Sequence, residues 1–328
     1  MTSPNLDVVA IGDAIVDVIA SCDDSFIAAR GLTKGSMQLL TTAEADELYA
    51  AMGPARESSG GSAANSMAGL AGLGLNVAFI GQVADDQLGE IFAHDMTSLG
   101  VRFETAPLSD GPPTGRCLIL VTPDAQRTMN TSPGASHELT PDALDEDMIR
   151  SAAIIFLEGY LWGPERPRAA MLRAAEIAHG AGRTVAFTLS ESLCIPGRRE
   201  GVRAMIDAGT IDILFGNEDE IRHLTGGSDL DGSIAELELA VKTLVVTKGA
   251  DGALAVEGGR RVEIAAPAVA RIVDTTGAGD LFAAGFLAAR CRGRDLEACL
   301  EAGAACAAEI ISHFGARSEK DLKTLVKL

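Results

Sequence analysis

Residues Ile272–Leu287, IVDTTGAGDLFAAGFL, place six small residues, Thr275 to Asp280, directly before a run that reads as a buried helix. Small residues let the backbone turn tightly and approach a ligand closely. The helix that follows aims its first N–H groups back at the same spot, where anions collect. A carboxylate there is the puzzle. Either Asp280 caps the helix, or it takes part in chemistry on an anionic substrate.

The rest of the chain limits what that chemistry can be. A length of 328 residues suits one α/β domain of roughly 250–300 residues with an appended subdomain. The net charge of −19 argues against nucleic acid or an anionic membrane as partner, because both need basic patches. An anionic small molecule must then be held by local donors against the overall field. The six cysteines, at 22, 117, 194, 291, 299 and 306, show no CxxC spacing and read as reduced thiols of a cytoplasmic protein. The opening MTSPNLDVVAIG has no basic leader region, and no apolar run approaches the roughly 20 residues of a membrane span.

Short apolar runs recur along the chain: DVVAIG, NVAFIGQV, RCLILV, AAIIFLEG, TVAFTL, IDILFGN and TLVVTKG. Helical segments such as 168–179 and 200–208 separate many of them. That alternation predicts a buried, mainly parallel sheet with helices on both faces. Two stretches, roughly 20–59 and 101–136, break the pattern with turn residues and strand-like pieces lacking crossover helices. They form either one small antiparallel sheet beside the main domain or a pair of edge hairpins on the main sheet.

Several segments offer polar chemistry at strand ends. In GGSAANSMAGLAGLG, the pair Gly60 and Gly61 permits close backbone approach, Ser62 resembles an N-cap, and Asn65 falls in the first turn of a helix. The alternative is an ordinary tight turn. Asp13 and Asp17 follow the first strand, where ligands bind in parallel sheets, and two such acids suit a polyol. In FGNEDE, Asn217 and Glu220 are hard oxygen donors three residues apart that could organise Mg²⁺ near phosphates, or could simply finish a strand-to-helix turn. Gly249 and Gly252 in VVTKGADG suit a nucleotide lying across exposed backbone. If phosphate is the ligand, the opening puzzle has an answer. The amides of Ala278, Gly279 and Asp280 would stabilise a transferring phosphoryl group, and the Asp280 carboxylate would take the proton of an attacking hydroxyl. There is no G-x-x-x-x-G-K-[ST] loop and no His-Glu-x-x-His, and GLAGLG (69–74) has its glycines in the wrong order for a dinucleotide fingerprint.

Taken together, VVAIGDAIVD, GGSAAN, GQVADDQLG, GNEDE, VVTKG and above all DTTGAGDLFAAGFL resemble the ribokinase-like (PfkB) family of carbohydrate and nucleoside kinases, across nearly the whole chain. The resemblance implies an α/β, doubly wound sheet with a small β lid built from the two insertions. It implies phosphoryl transfer from ATP with Mg²⁺, to a small-molecule acceptor, by a monomer or homodimer. By the same resemblance Asp280 is the base, Gly277, Ala278 and Gly279 form the anion hole, and Asn217 and Glu220 arrange Mg²⁺ through water. Thr247 and Gly249 contact the nucleotide. PTGRC (113–117), RTMN (127–130) and FTLSESL (187–193) are similar to the adenosine kinase branch. On that likeness Asp17 holds the ribose hydroxyls with Gly61 and Asn65, and Arg127 reaches over the transferring phosphate. A purine slot is expected from Met37, Leu39, Leu40, Cys117, Ile119, Tyr160 and Trp162. Asp274 and Thr276 fall where the resemblance implies a monovalent-cation site, K⁺. The expected activity is phosphorylation of the 5′-hydroxyl of a ribose-containing acceptor, adenosine first, with a sugar kinase of the same family or a non-catalytic nucleotide or sugar sensor as alternatives.

Overall fold

The structure, a computed structural model, describes residues 5–124, 126–190 and 198–328. Among the described residues there are fourteen strands: β1 (Leu6–Ile11), β2 (Ile15–Ser21), β3 (Met37–Leu39), β4 (Ala55–Gly60), β5 (Val77–Ile80), β6 (Val101–Phe103), β7 (Gly115–Val121), β8 (Arg127–Ser132), β9 (Ala152–Glu158), β10 (Thr184–Thr188), β11 (Ile213–Asn217), β12 (Thr243–Thr247), β13 (Ala253–Glu257) and β14 (Arg260–Ile264). Nine of them make one sheet in the order β14-β13-β12-β11-β10-β9-β1-β5-β6. The seven from β6 to β12 are parallel, and β13 and β14 close one edge antiparallel.

The apolar runs form these strands because both faces are covered. Along β1, Val8 and Ala10 join one core and Val9 and Ile11 the other, all fully buried. Side chains alternate across a strand, so a continuous apolar run means a core on each side. The helix Glu165–Gly180 packs on one face, and the helices Ser62–Gly72, Ala278–Cys291 and Leu296–Ile310 pack on the other. This is the doubly wound arrangement expected. Small residues let the last three helices approach closely. A Cβ on Gly285 would lie 2.3 Å from the Ala302 carbonyl oxygen, and one on Gly69 would lie 2.8 Å from Leu281. That contact carries the start of the Ala278–Cys291 helix to the start of the Ser62–Gly72 helix.

The remaining five strands form a separate sheet, ordered β3-β8-β7-β2-β4. The edge-hairpin alternative is therefore ruled out, but the sheet is mixed and not antiparallel. β2 pairs with β7, and β3 with β8, in parallel, while the β2–β4 and β7–β8 pairs are antiparallel. The first insertion also contains helices, Asp24–Ala29 and Thr42–Ala51. Strand β2 starts at Ile15, ahead of the first turn-rich stretch, and β6 pairs with β5 in the large sheet. No helix among the described residues is long and apolar enough to cross a membrane. Cys22, Cys117, Cys291, Cys299 and Cys306 are free thiols, while Cys194 and the end of FTLSESL beyond Ser190 lie outside the described residues.

Candidate active site

A cleft of about 510 Å³ runs between the small sheet and the C-terminal ends of the central strands. One wall is the N-terminus of the Ala278–Cys291 helix. Its N-cap, Gly277, has φ +78°, and a Cβ there would lie 2.8 Å from that of Ala316. Both facts favour glycine, the residue that adopts positive φ without strain. No side chain caps this helix. The Ala278 N–H donates to the Thr275 carbonyl at 3.2 Å within the turn, so the expected anion-hole amide of Ala278 is already used. The N–H groups of Gly279 and Asp280 have no partner among the described residues.

The carboxylate of Asp280 does not cap its own helix. It reaches across to the Ser62–Gly72 helix, accepting from Ser62 Oγ at 2.6 Å and from Asn65 Nδ2 at 2.9 Å. Burial pushes its pKa up, and the two hydrogen bonds and the charge of Arg317 oppose that push. Asp17, on β2, lies over Gly60. A Cβ on Gly60 would come within 2.5 Å of the Asp17 carboxyl, so only glycine leaves room for it. Burial raises Asp17 to about 6 against the pull of Arg317 and Arg127. Gly61, with φ +95°, passes so close to the Asp13 carbonyl that a Cβ would lie 2.3 Å away.

Asp13 accepts from Ser136 Oγ at 2.9 Å, and burial raises its pKa while nearby His137 opposes. Its backbone N–H donates to Glu158 at 2.5 Å, and Ala63 N–H donates to the other Glu158 oxygen at the same distance. Glu158 is fully buried at the end of β9, and desolvation, then Asp13, hold its carboxyl well above the usual range. It ties the β1–β2 turn to the first turn of the Ser62–Gly72 helix, the two segments that carry Asp13 and Asn65.

At the other end, Asn217 and Glu220 line the cleft and also cap each other's backbone. Asn217 Oδ1 accepts from Glu220 N at 2.9 Å, and Glu220 Oε2 from Asn217 N at 2.8 Å. Thr247 lines the same end. Gly249 and Gly252 do not. Gly252, with φ +97°, closes the turn between β12 and β13, where a Cβ would lie 2.0 Å from the Ile264 carbonyl oxygen at the end of β14. Met37, Leu39, Cys117, Ile119 and Tyr160, expected in a purine slot, line the cleft, and burial pushes the Cys117 thiol up to about 12, so it is neutral. Trp162, expected with them, is instead buried edge-on against Phe187. Leu40 also packs away from the cleft against the core.

Arg127 and Asp274 sit beside the cleft and face each other. Arg127 Nη2 pairs with Asp274 Oδ2 at 2.9 Å, and its Nη1 donates to Thr276 Oγ1 at 3.2 Å. Asp274 also accepts from Thr276 N at 3.0 Å and Gly315 N at 2.9 Å. The carboxylate expected to hold a monovalent cation thus has a guanidinium as its positive partner, and Arg127 is not free over the cleft.

Sequence reasoning passed over Glu158, Arg317, His137 and Arg198. Glu158 left one signal, a lone acid ending an apolar run; the other three stand in segments with no local pattern. Arg317 holds Asn65 Oδ1 and donates to Ser59 O at 2.9 Å. Arg198 is 8% exposed, lines the cleft, and its Nε has no hydrogen-bond partner among the described residues.

The sequence pattern of the pfkB family carbohydrate kinases matches residues 5–323. The ATP-dependent ribose-1-phosphate kinase of Halopiger xanaduensis is 35% identical over 309 residues, covering 88% of this chain and 94% of that protein. The crystal structure of an adenosine kinase from Sinorhizobium meliloti is 45% identical, covers 97% of this chain and 98% of its own, and superposes with a TM-score of 0.90. A probable sugar kinase from Rhizobium etli is 41% identical, covering 98% and 97% of the two chains, with a TM-score of 0.91.

Proposed function

The chain belongs to the pfkB family of carbohydrate kinases, and from that premise we propose that it transfers the γ-phosphoryl group of ATP to the 5′-hydroxyl of adenosine. The observation that carries the reaction type is the Asp280 carboxylate, held by Ser62 and Asn65 beside an uncapped helix N-terminus. A base next to free N–H donors is useful where a neutral hydroxyl must lose a proton as it attacks a phosphoryl donor. Asp280 takes the hydroxyl proton. The amides of Gly279 and Asp280 and the helix dipole stabilise the charge that develops on the transferring group. Asp17 and the backbone at Gly61 hold the ribose hydroxyls, and the small sheet acts as a lid that excludes water.

The donor set at the ends of β11 and β12 fits Mg²⁺, since Asn217, Glu220 and Thr247 offer only hard oxygens beside the phosphate end of the cleft. When bound there, the metal supplies charge neutralisation on the ATP phosphates. Asn217 and Glu220 would hold it through water, because each already caps the other.

Two facts support adenosine over a free sugar. The acceptor end is walled by Met37, Leu39, Ile119 and Tyr160, and apolar walls suit a flat purine better than exposed hydroxyls that must each be paired. The likeness to the Sinorhizobium meliloti adenosine kinase covers both chains almost fully. A second reading, a phosphorylated pentose as acceptor, is favoured by the buried Arg198, a cation facing that end of the cleft. A panel of adenosine, inosine, ribose, fructose and ribose 1-phosphate with MgATP, scored by kcat/KM, decides. Adenosine is expected to lead. If ribose 1-phosphate leads, Arg198 reads the substrate; if ribose or fructose leads, the nucleoside reading falls and the kinase reading stands.

A further inference from the structure

We propose that Arg317 is a positioning residue for Asp280, acting through the Asn65 side chain; this rests on the reading of Asp280 as the base. A side-chain amide has a donor end and an acceptor end, and a guanidinium can only donate. Because Arg317 Nη1 meets Asn65 Oδ1, the Asn65 NH₂ must point the other way, and it points at Asp280 Oδ2, 2.9 Å off. Without the arginine the amide is free to turn its oxygen toward the carboxylate, which would repel it.

Arg317 is itself anchored at a second point. Its Nη2 donates to Ser59 O at 2.9 Å and to Ser59 Oγ at 3.0 Å, and Ser59 N donates to Asp95 Oδ2 at 2.8 Å. Ser59 is the penultimate residue of β4 in the small sheet, immediately before the Gly60 that makes room for Asp17. One guanidinium therefore joins the segment after the Leu296–Ile310 helix, the small sheet, and the first turn of the helix that holds Asp280. A lysine ammonium is a single point charge and lacks the planar fork that spans Ser59 and Asn65.

The charge has a second use. Three carboxyl groups crowd this end of the site: Asp280, Asp17 on β2 and Glu158 at the end of β9, each pushed up by burial, with the charge of Asp280 adding to the push on the other two. Arg317 is the cation that opposes this on Asp280, and it is the largest opposing influence on Asp17, ahead of Arg127. A base must be ionised before it can accept a proton, so losing Arg317 raises the pH needed for activity.

The test is Arg317→Gln and Arg317→Lys, each alone and Arg317→Gln also combined with Asp280→Asn, with kcat and kcat/KM measured from pH 5 to 9. Arg317→Gln is expected to lower kcat on the order of 10-fold and to move the acid limb of kcat/KM up by about one pH unit, the scale for losing a nearby opposite charge. Arg317→Lys is expected to return the acid limb to its wild-type place while kcat stays reduced. In the Asp280→Asn background, Arg317→Gln is expected to add roughly no more than a twofold loss, because residues acting as a unit are non-additive. A fall in kcat with an unmoved acid limb, or a full additional loss in the Asp280→Asn background, overturns the proposal and leaves Arg317 a structural tie. Should Arg317→Gln not fold, Arg317→Lys decides, since wild-type kcat there overturns it. If Asp280→Asn alone keeps most of its activity, the reading of the base fails, independently of Arg317.

Discussion

Two helices aim their N-termini into one cleft and are finished in opposite ways. The Glu218–Thr225 helix closes on itself: Asn217 and Glu220 satisfy each other's backbone, and three acids occupy its first turn. The Ala278–Cys291 helix starts from a left-handed glycine with no side-chain cap, and its one first-turn acid turns away to Ser62 and Asn65 on another helix. An acid in a first turn is common to both and favours the dipole in both. What separates them is where the carboxylate bonds. Folded back onto its own backbone, it completes the helix. Bonded across to a neighbour, it leaves the N–H donors for a ligand and becomes available itself. The capping half of the opening alternative is thus excluded by partner and not by position.

That contrast breaks most sharply at Asp280. Asp280→Asn is expected to lower kcat on the order of 10²–10⁴-fold, the range for losing a general base, with the melting temperature close to wild type. If the folded variant keeps more than about half its kcat at saturating substrate, the carboxylate has no part in proton transfer. Next in size is Gly277→Ala. It forces a side chain into a left-handed conformation, costing about 1–2 kcal/mol, and presses a Cβ on Ala316. Urea unfolding should register that loss, and kcat should drop as the turn shifts. Equal stability and equal kcat would show that the glycine N-cap is dispensable.

The acceptor side of the comparison has its own signature in pH. Asp17, raised to about 6, is ionised above that value and protonated below it. A carboxylate accepts from both ribose hydroxyls and a carboxylic acid does so less well, so kcat/KM for the acceptor should fall as pH drops through about 6. An acceptor KM that stays flat from pH 7 down to 5 would separate Asp17 from the hydroxyls. The smallest effect belongs to the self-capped helix. Asn217→Ala should cost about 1 kcal/mol, the usual loss of an N-cap, seen in the denaturation midpoint. Glu220→Gln should shift the Mg²⁺ titration to higher concentration and recover in part at raised Mg²⁺, because a weakened site refills by mass action. A superimposable titration would leave Glu220 as a cap alone.

Legibility followed range. The parallel strands were readable because burial on both faces writes a continuous apolar run, as in Val8–Ile11, and the glycine turn before Asp280 was readable because its six residues are adjacent. The direction of pairing in the small sheet was not, because β2 and β7 are separated by nearly a hundred residues and either direction satisfies the same alternation. The role of Trp162 was misread for a related reason. A large aromatic serves equally well as a cleft wall or as core, and only the packing against Phe187 decides between them.

What the sequence by itself determined is the α/β class, the glycine-rich turn of Thr275–Asp280 leading into a helix and the presence of carboxylates near strand ends, since each depends on residues close together in the chain; the helix itself starts earlier than that reading placed it, at Ala278, and takes Asp280 into its first turn. What only the tertiary structure decided is which polar atoms meet. Arg317 reaches Asn65 from 252 positions away, Glu158 ties Asp13 to Ala63, and Arg127 pairs with Asp274 across 147. Hydrogen bonds act over about 3 Å in space. No spacing along the chain encodes such contacts until the sheets and helices have brought the segments together.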